Sequence, residues 1–255
     1  MEKNIILAGV GGQGILSVAY VIDNAALDAG LQLKQAEVHG MAQRGGAVQS
    51  HLRYADHEIH SDLVPTGRAD LIISVEPLEA LRYWHLLAPT GWVVASITPY
   101  VNIPDYPPPD RVLEELASFG QVVLVDTAQL ARAAGNLRAQ NMAVVGAASP
   151  LLDFSQEQLL KVVRQLFAAK GSKVVDVNCR AFTYGRSAGL LFRRLVDGGL
   201  HPQQALRLCQ KFAPETVDPD RAEGWLDAVR ARPEALERLL ATEGVVSCDQ
   251  PALPA

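Results

Sequence analysis

The sequence predicts an α/β protein: a doubly wound, Rossmann-like sheet followed by a mostly helical C-terminal extension. Three observations carry this expectation. An apolar run, Asn4 to Val10, leads at once into a glycine cluster and then into a helical pattern. Short apolar runs and helical segments alternate from there to about residue 150, as parallel strands joined by crossover helices require. Beyond about residue 155 the strand signal stops and helical patterns continue almost to the end. The chain therefore divides into a core over residues 1–154 and an extension over residues 155–255, packed on the core or on another subunit.

The first unit reads NIILAGVGGQGILSVAYVIDNAALDA. From Gln13 onward Ile15, Val18, Ala19, Ile22 and Ala26 recur at helical spacing. Gly9, Gly11 and Gly14 satisfy G-x-G-x-x-G where strand meets helix, the context that gives this motif its weight. Glycine there permits a tight turn and close backbone approach to a ligand. Free N–H groups at the helix start then face the loop, where an anion or a carbonyl can be held.

Leu31 to His39 alternates as a second strand, and Gly40 to Val48 forms a glycine-rich loop with one arginine. Val48 to Tyr54 and Glu58 to Val64 read as a hairpin, or as a strand and its continuation. Asp70 to Val75 is a buried strand, and Pro77 to Leu87 a helix whose proline suits the first turn. Trp92 to Ile97 is a strand, and the five prolines between Thr98 and Pro109 demand an extended surface loop. Helix Asp110 to Phe119, strand Gln121 to Asp126, and helices Thr127 to Ala134 and Asn141 to Ala148 complete the core. In the extension, Ser155 with Gln158 forms a helix N-cap, and that helix ends at Gly171. Lys173 to Arg194 reads as an interrupted helix, His201 to Phe212 as another, and Pro219 to Ala241 as a last one broken near Pro233.

The 255 residues are 49% hydrophobic and 20% charged, which suits a globular protein with a substantial core. A net charge of −5 argues against nucleic acid or an anionic membrane as partner. No 18-residue apolar span is free of charge or strong breakers, and the start lacks a secretory pattern, so a cytoplasmic protein is expected. Cys179, Cys209 and Cys248 lie far apart without a C-x-x-C pair, which argues against a disulfide framework, an iron–sulfur cluster or a zinc site built by this chain alone.

Glu37 lies 23 residues beyond Gly14, where a dinucleotide fold would place the acid that meets the ribose. In the second glycine-rich loop, Arg44 beside Gly45 and Gly46 pairs a guanidinium with backbone able to curl around a carboxylate or phosphate. The alternative is an ordinary turn with a solvated arginine. His39, His51, His57 and His60 cluster in sequence without the acids or cysteines that complete a metal site. Glu76, Glu79 and Arg82 share one helical face, read as solvated or as an interface, with Glu79 and Arg82 placed to pair. The chain contains no nucleophile elbow, phosphate loop, zinc helix or GDG thiamine motif. No self-sufficient catalytic set is visible, and no catalytic or metal-ligating residue is assigned.

The segments Gly9 to Gly14 and Glu37 to Gly46 together resemble the gamma-type domain of the 2-oxoacid:ferredoxin oxidoreductases, and within it the branch acting on indolepyruvate. Ser61 to Pro65, Glu76 to Arg82, Asn141 to Ala147 and Asn178 to Phe182 extend the likeness to about residue 190. The resemblance implies a non-autonomous subunit of an enzyme that decarboxylates a 2-oxoacid on thiamine diphosphate. It implies delivery of an acyl group to coenzyme A as co-substrate and of electrons to ferredoxin. It also implies that thiamine diphosphate and the iron–sulfur clusters belong to a large partner subunit, none being bound by this chain alone. Gly11, Gly12, Gln13, Gly14, Arg44, Gly45 and Gly46 are then the candidate cofactor-binding residues, at the subunit interface or the cofactor pocket. Two other readings stand beside this one. One is a free-standing NAD(P)- or FAD-binding protein using Gly9, Gly11, Gly14 and Glu37; the other is a purely structural partner subunit.

Overall fold

The fold is described from a computed structural model that covers residues 1–39, 45–101, 103–251 and 253. Its centre is a six-stranded sheet in the order β2-β3-β1-β4-β5-β6. These strands are β1 (Glu2–Val10), β2 (Gln32–His39), β3 (Ala47–Ala55), β4 (Ala69–Ser74), β5 (Leu87–Ser96) and β6 (Val122–Val125). Residues 5–10 of β1 are buried without alternation, and so are all four of β6, because helices or loops cover the sheet on both faces.

β1, β4, β5 and β6 run parallel, whereas β3 is antiparallel to both β1 and β2. The α/β class with a helical C-terminal part holds, with a mixed sheet in place of an all-parallel one. The reason is connection length. A parallel neighbour needs a crossover of a dozen or more residues, and the short link between His39 and Ala47 can only close a hairpin. The hairpin therefore joins β2 to β3, and residues 58–64 form no strand. Instead, the Val64 N–H donates to His51 Nδ1 and Arg53 donates to the Ser61 carbonyl, laying this segment against β3.

Helix α1 (Ile15–Asp28) packs on β1, β2 and β3, and α5 (Gln140–Ala148) on β4, β5 and β6. The predicted helix after Pro77 is shorter: α2 (Pro77–Arg82) gives way to a 3-10 turn, Trp84–Leu86. Helices α3 (Pro109–Ala117) and α4 (Thr127–Ala134) flank β6 in sequence, and Asp126 caps α4 through its carboxylate. The predicted cap of α6 (Gln156–Phe167) is a complete capping box between Ser155 and Gln158.

Helix α7 (Ser172–Asp197) runs uninterrupted for 26 residues despite Gly185 and Gly189. Those glycines face α5: a Cβ on Gly185 would sit 1.9 Å from the Ala143 carbonyl oxygen, and one on Gly146 of α5 would sit 1.9 Å from that of Phe182. The two helices meet backbone to backbone, so glycine marks a contact here and not a break.

The remaining helices, α8 (Pro202–Lys211), α9 (Ala222–Ala231) and α10 (Pro233–Ala241), fold over the β6 edge of the sheet. Leu206, Leu208, Phe212, Trp225, Leu236 and Leu239 are all buried within the chain, and Phe212 packs on Trp225 at 4.8 Å between ring centroids. Apolar positions that in sequence look available to a partner are thus consumed internally. Among the described residues, no helix is long and apolar enough to cross a membrane.

Candidate functional site

The two glycine-rich loops emerge at one end of the sheet. In the register, His39 of β2 pairs with Val48 of β3, and Val48 with Gly9 of β1. β2 thus runs in the same direction as β1 with β3 between them, and both loops reach the carboxyl edge of β1. Ligands of open α/β sheets gather at that edge. The loops touch directly: Gly11 N–H donates to the Gly46 carbonyl at 2.8 Å, and Gly45 N–H to the Gly11 carbonyl at 3.2 Å. Gly40 to Arg44 lie outside the described residues, so the position assigned to Arg44 carries no structural account.

Each glycine of the first loop has its own physical reason. A Cβ on Gly9 would meet Val75 Cγ2 at 2.5 Å and Ile15 Cδ1 at 2.7 Å, so strand, loop and helix close-pack there. Gly12 has φ +102° and faces open space, while Gly14, at φ +81°, begins α1 beside Asn141 Nδ2. Gln13 closes the turn: its Oε1 accepts from Val10 N–H at 2.8 Å, and its own N–H donates to the Val10 carbonyl at 3.1 Å. The N–H groups of Gly12, Gly14, Ile15 and Leu16 have no acceptor among the described residues. They are the orphan donors that every helix start presents.

Beside these donors lies a cleft of about 390 Å³, lined by Gly12, Gln13, Gly14, Val75, Tyr100, Leu137, Arg138, Gln140 and Asn141. Its cation is Arg138, an exposed side chain with no ion pair or hydrogen bond among the described residues. Asn136 Oδ1 accepts from Arg138 N–H at 2.9 Å, in a turn that follows the left-handed Gly135 at the end of α4. Sequence reasoning does not find Arg138. Its only local signal is that Gly-Asn turn, and the topology alone places the turn beside residues far away in sequence. Two exposed apolar side chains, Tyr100 and Leu137, line the cleft as well. This arrangement can hold an anionic group through N–H donors and a guanidinium.

Other predicted residues land elsewhere. Glu37 is separated from β1 by the whole of β3, about 10 Å in sheet spacing. It stands near Asp23 of α1, whose carboxyl its charge helps to raise. The ribose-binding geometry of a dinucleotide fold is therefore not built. Glu76 and Glu79 are buried, not solvated, and the Glu79–Arg82 pair forms at 3.0 Å. Burial pushes the Glu79 carboxyl above its ordinary range, against the pull of Arg82. His51 is buried, while His57 is exposed beside Asp56 and Glu2 of β1, and His60 is exposed beside Glu58. Among the described residues no group of three or more His, Cys, Asp or Glu side chains converges as metal ligands.

The pyruvate ferredoxin/flavodoxin oxidoreductase family matches residues 4–188. Indolepyruvate oxidoreductase subunit IorB of Thermococcus kodakarensis is 39% identical over 199 residues, which span 73% of this chain and 96% of that one. Its counterpart in Archaeoglobus fulgidus is 38% identical over 194 residues, 72% of this chain and 94% of the relative. Among solved structures, a pyruvate oxidoreductase subunit of Thermotoga maritima aligns over 72% of this chain and 95% of its own, with TM-score 0.56 and 20% identity. The 2-oxoglutarate:ferredoxin oxidoreductase of Magnetococcus marinus, solved with 2-oxoglutarate, coenzyme A and succinyl-CoA bound, aligns over 78% of this chain with TM-score 0.58 and 20% identity. This chain corresponds to 37% of that one. The structural likenesses establish a shared fold, and the sequence matches establish descent. The chain belongs to the pyruvate ferredoxin/flavodoxin oxidoreductase family, as a subunit of a 2-oxoacid:ferredoxin oxidoreductase.

Proposed function

We propose that this chain is the non-autonomous subunit of a thiamine-diphosphate-dependent enzyme that oxidises indolepyruvate or another arylpyruvate to its acyl-CoA, with electrons passed to ferredoxin. The relatives' names support the substrate class. On this reading the iron–sulfur clusters and thiamine diphosphate belong to a large partner subunit, as the family to which the chain belongs suggests. The helices after residue 154 are taken as an extension of the core, and the cytoplasm as its compartment. The isolated chain is expected to show no turnover of arylpyruvate with coenzyme A and a viologen dye. Activity of the pure chain with no added protein would contradict the reading.

The observation that carries the role of this chain is the cleft beside Gly12, Gln13 and Gly14. N–H donors and an Arg138 guanidinium without partners among the described residues face the same space, a combination suited to a phosphate of coenzyme A or of a cofactor held by the partner. Gly11, Gly45 and Gly46 hold the loops together at its edge, and Arg44 is proposed to add a second positive charge there. Arg138→Ala is expected to raise the coenzyme A KM of the reconstituted complex five- to thirty-fold, the equivalent of about 1–2 kcal/mol for one charge-assisted contact at a partly exposed site. Gly12→Val places a branched side chain where the ligand or partner backbone approaches; its Cβ meets no described residue within 4 Å, but φ +102° strains any side chain there, so the loop is expected to shift while the sheet core, read by circular dichroism, stays folded. Unchanged KM and unchanged affinity for the large subunit in both variants would return these loops to ordinary turns.

A further inference from the structure

The described residues of 98–108 form a strap between β5 and α3 and place Tyr100 in the wall of the cleft. The strap has no regular structure, and Tyr100 and Val101 are exposed. Its anchor is Glu76, at the end of β4 and almost wholly buried. Glu76 Oε2 accepts from Glu79 N–H at 2.9 Å and caps α2. Its Oε1 accepts from Tyr100 N–H at 3.2 Å and from the Tyr106 hydroxyl. The backbone beneath is fixed in turn: Ser74 Oγ donates to the Ala8 carbonyl at 3.2 Å, and Val75 N–H donates to the same carbonyl at 3.1 Å. One carboxylate thus links the start of α2 to the strap, on a backbone that Ser74 and Val75 tie to the end of β1.

We infer that Glu76 is a positioning residue that holds the strap against the glycine-loop cleft, and so sets the wall that Tyr100 presents to the ligand. All three partners are donors, and a carboxylate is an acceptor at both oxygens. A glutamine can satisfy one side only, since its amide nitrogen would face an N–H or O–H. The residue type is therefore explained by the strap, where a helix cap alone would accept Ser, Thr, Asp or Asn equally well. The inference rests on the proposed role of the cleft.

Two measurements separate the inference from that role. Hydrogen exchange at the Tyr100 amide, in the full chain alone, reports on the strap. Tyr106→Phe removes one strap contact and leaves the cap of α2 in place, so it is informative even if Glu76→Gln fails to fold. Exchange at Tyr100 is expected to quicken at least five-fold in Tyr106→Phe, with the Glu79 amide, which Glu76 caps, unaffected. In the reconstituted complex, the same variant should raise the coenzyme A KM three- to ten-fold with kcat within two-fold. Equal exchange rates in wild type and Tyr106→Phe would overturn the inference. So would faster exchange with an unmoved KM, provided that Arg138→Ala does move it. If Arg138→Ala leaves KM unmoved as well, the role proposed for the cleft fails, and exchange still decides whether Glu76 holds the strap.

Discussion

Gly185→Ala is expected to destabilise the chain by about 3 kcal/mol, where the same change in an exposed helix would stabilise it by about 1 kcal/mol. The sign reverses because the new methyl would sit 1.9 Å from the Ala143 carbonyl oxygen, and backbone cannot rotate away as a side chain can. Either α5 and α7 separate or one of them bends, and both open the packing between them. Gly146→Ala should behave alike, its Cβ being 1.9 Å from the Phe182 oxygen. A loss of this size corresponds to a fall of roughly 6–12 °C in Tm for a chain of this length. Gly120→Ala, where a Cβ meets nothing within 4 Å and φ is not positive, is the control and should stay within about 0.5 kcal/mol. Urea unfolding of the three proteins checks the prediction, and a stabilised Gly185→Ala would refute the close helix crossing.

Asp23→Asn is expected to stabilise the chain, with a gain that grows from about pH 4 and is complete just above pH 7. Asp23 lies on the buried face of α1 at 8% exposure, and its Oδ1 has no hydrogen-bond partner among the described residues. Burial, and then the charge of Glu37, push its carboxyl up to about 7 from an ordinary 3.8. Below pH 4 both folded and unfolded chains keep the proton, and the group costs nothing. Between pH 4 and 7 the unfolded chain releases its proton while the folded chain retains it, so stability falls as pH rises. Above that range the full cost, about 4 kcal/mol, is present in the wild type and absent from the amide variant. Urea midpoints measured from pH 4 to 9 should therefore diverge between pH 4 and 7 and keep a constant gap above that, with Asp23→Asn the more stable. Parallel curves for the two proteins would show that Asp23 ionises freely in the fold.

Much of the fold is written locally. The run Ile5–Val10, the glycine turn, the capping box at Ser155 and the proline at the head of α2 each follow from residue types within a few positions of one another. So do the strand–helix alternation and the helical end of the chain. The paired glycine loops are legible as motifs for the same reason, and so is the family they belong to. Three features depend on residues distant in sequence and appear only in the folded chain. The antiparallel insertion of β3 between β2 and β1 takes Glu37 away from the glycine loop, and no periodicity along a strand encodes which neighbour it takes. Gly185 reads as a helix breaker until α5 is laid across it at backbone distance. The cleft is the third: Arg138 comes from the turn between α4 and α5, Asn141 from α5, Tyr100 from the strap after β5, and Glu76 from the turn between β4 and α2. What the sequence determined by itself was the class, the family and the loops at the carboxyl edge, because local sterics and hydrogen bonding dictate them. What only the tertiary structure decided was which distant side chains meet those loops, because that depends on strand order and helix crossing over the whole sheet.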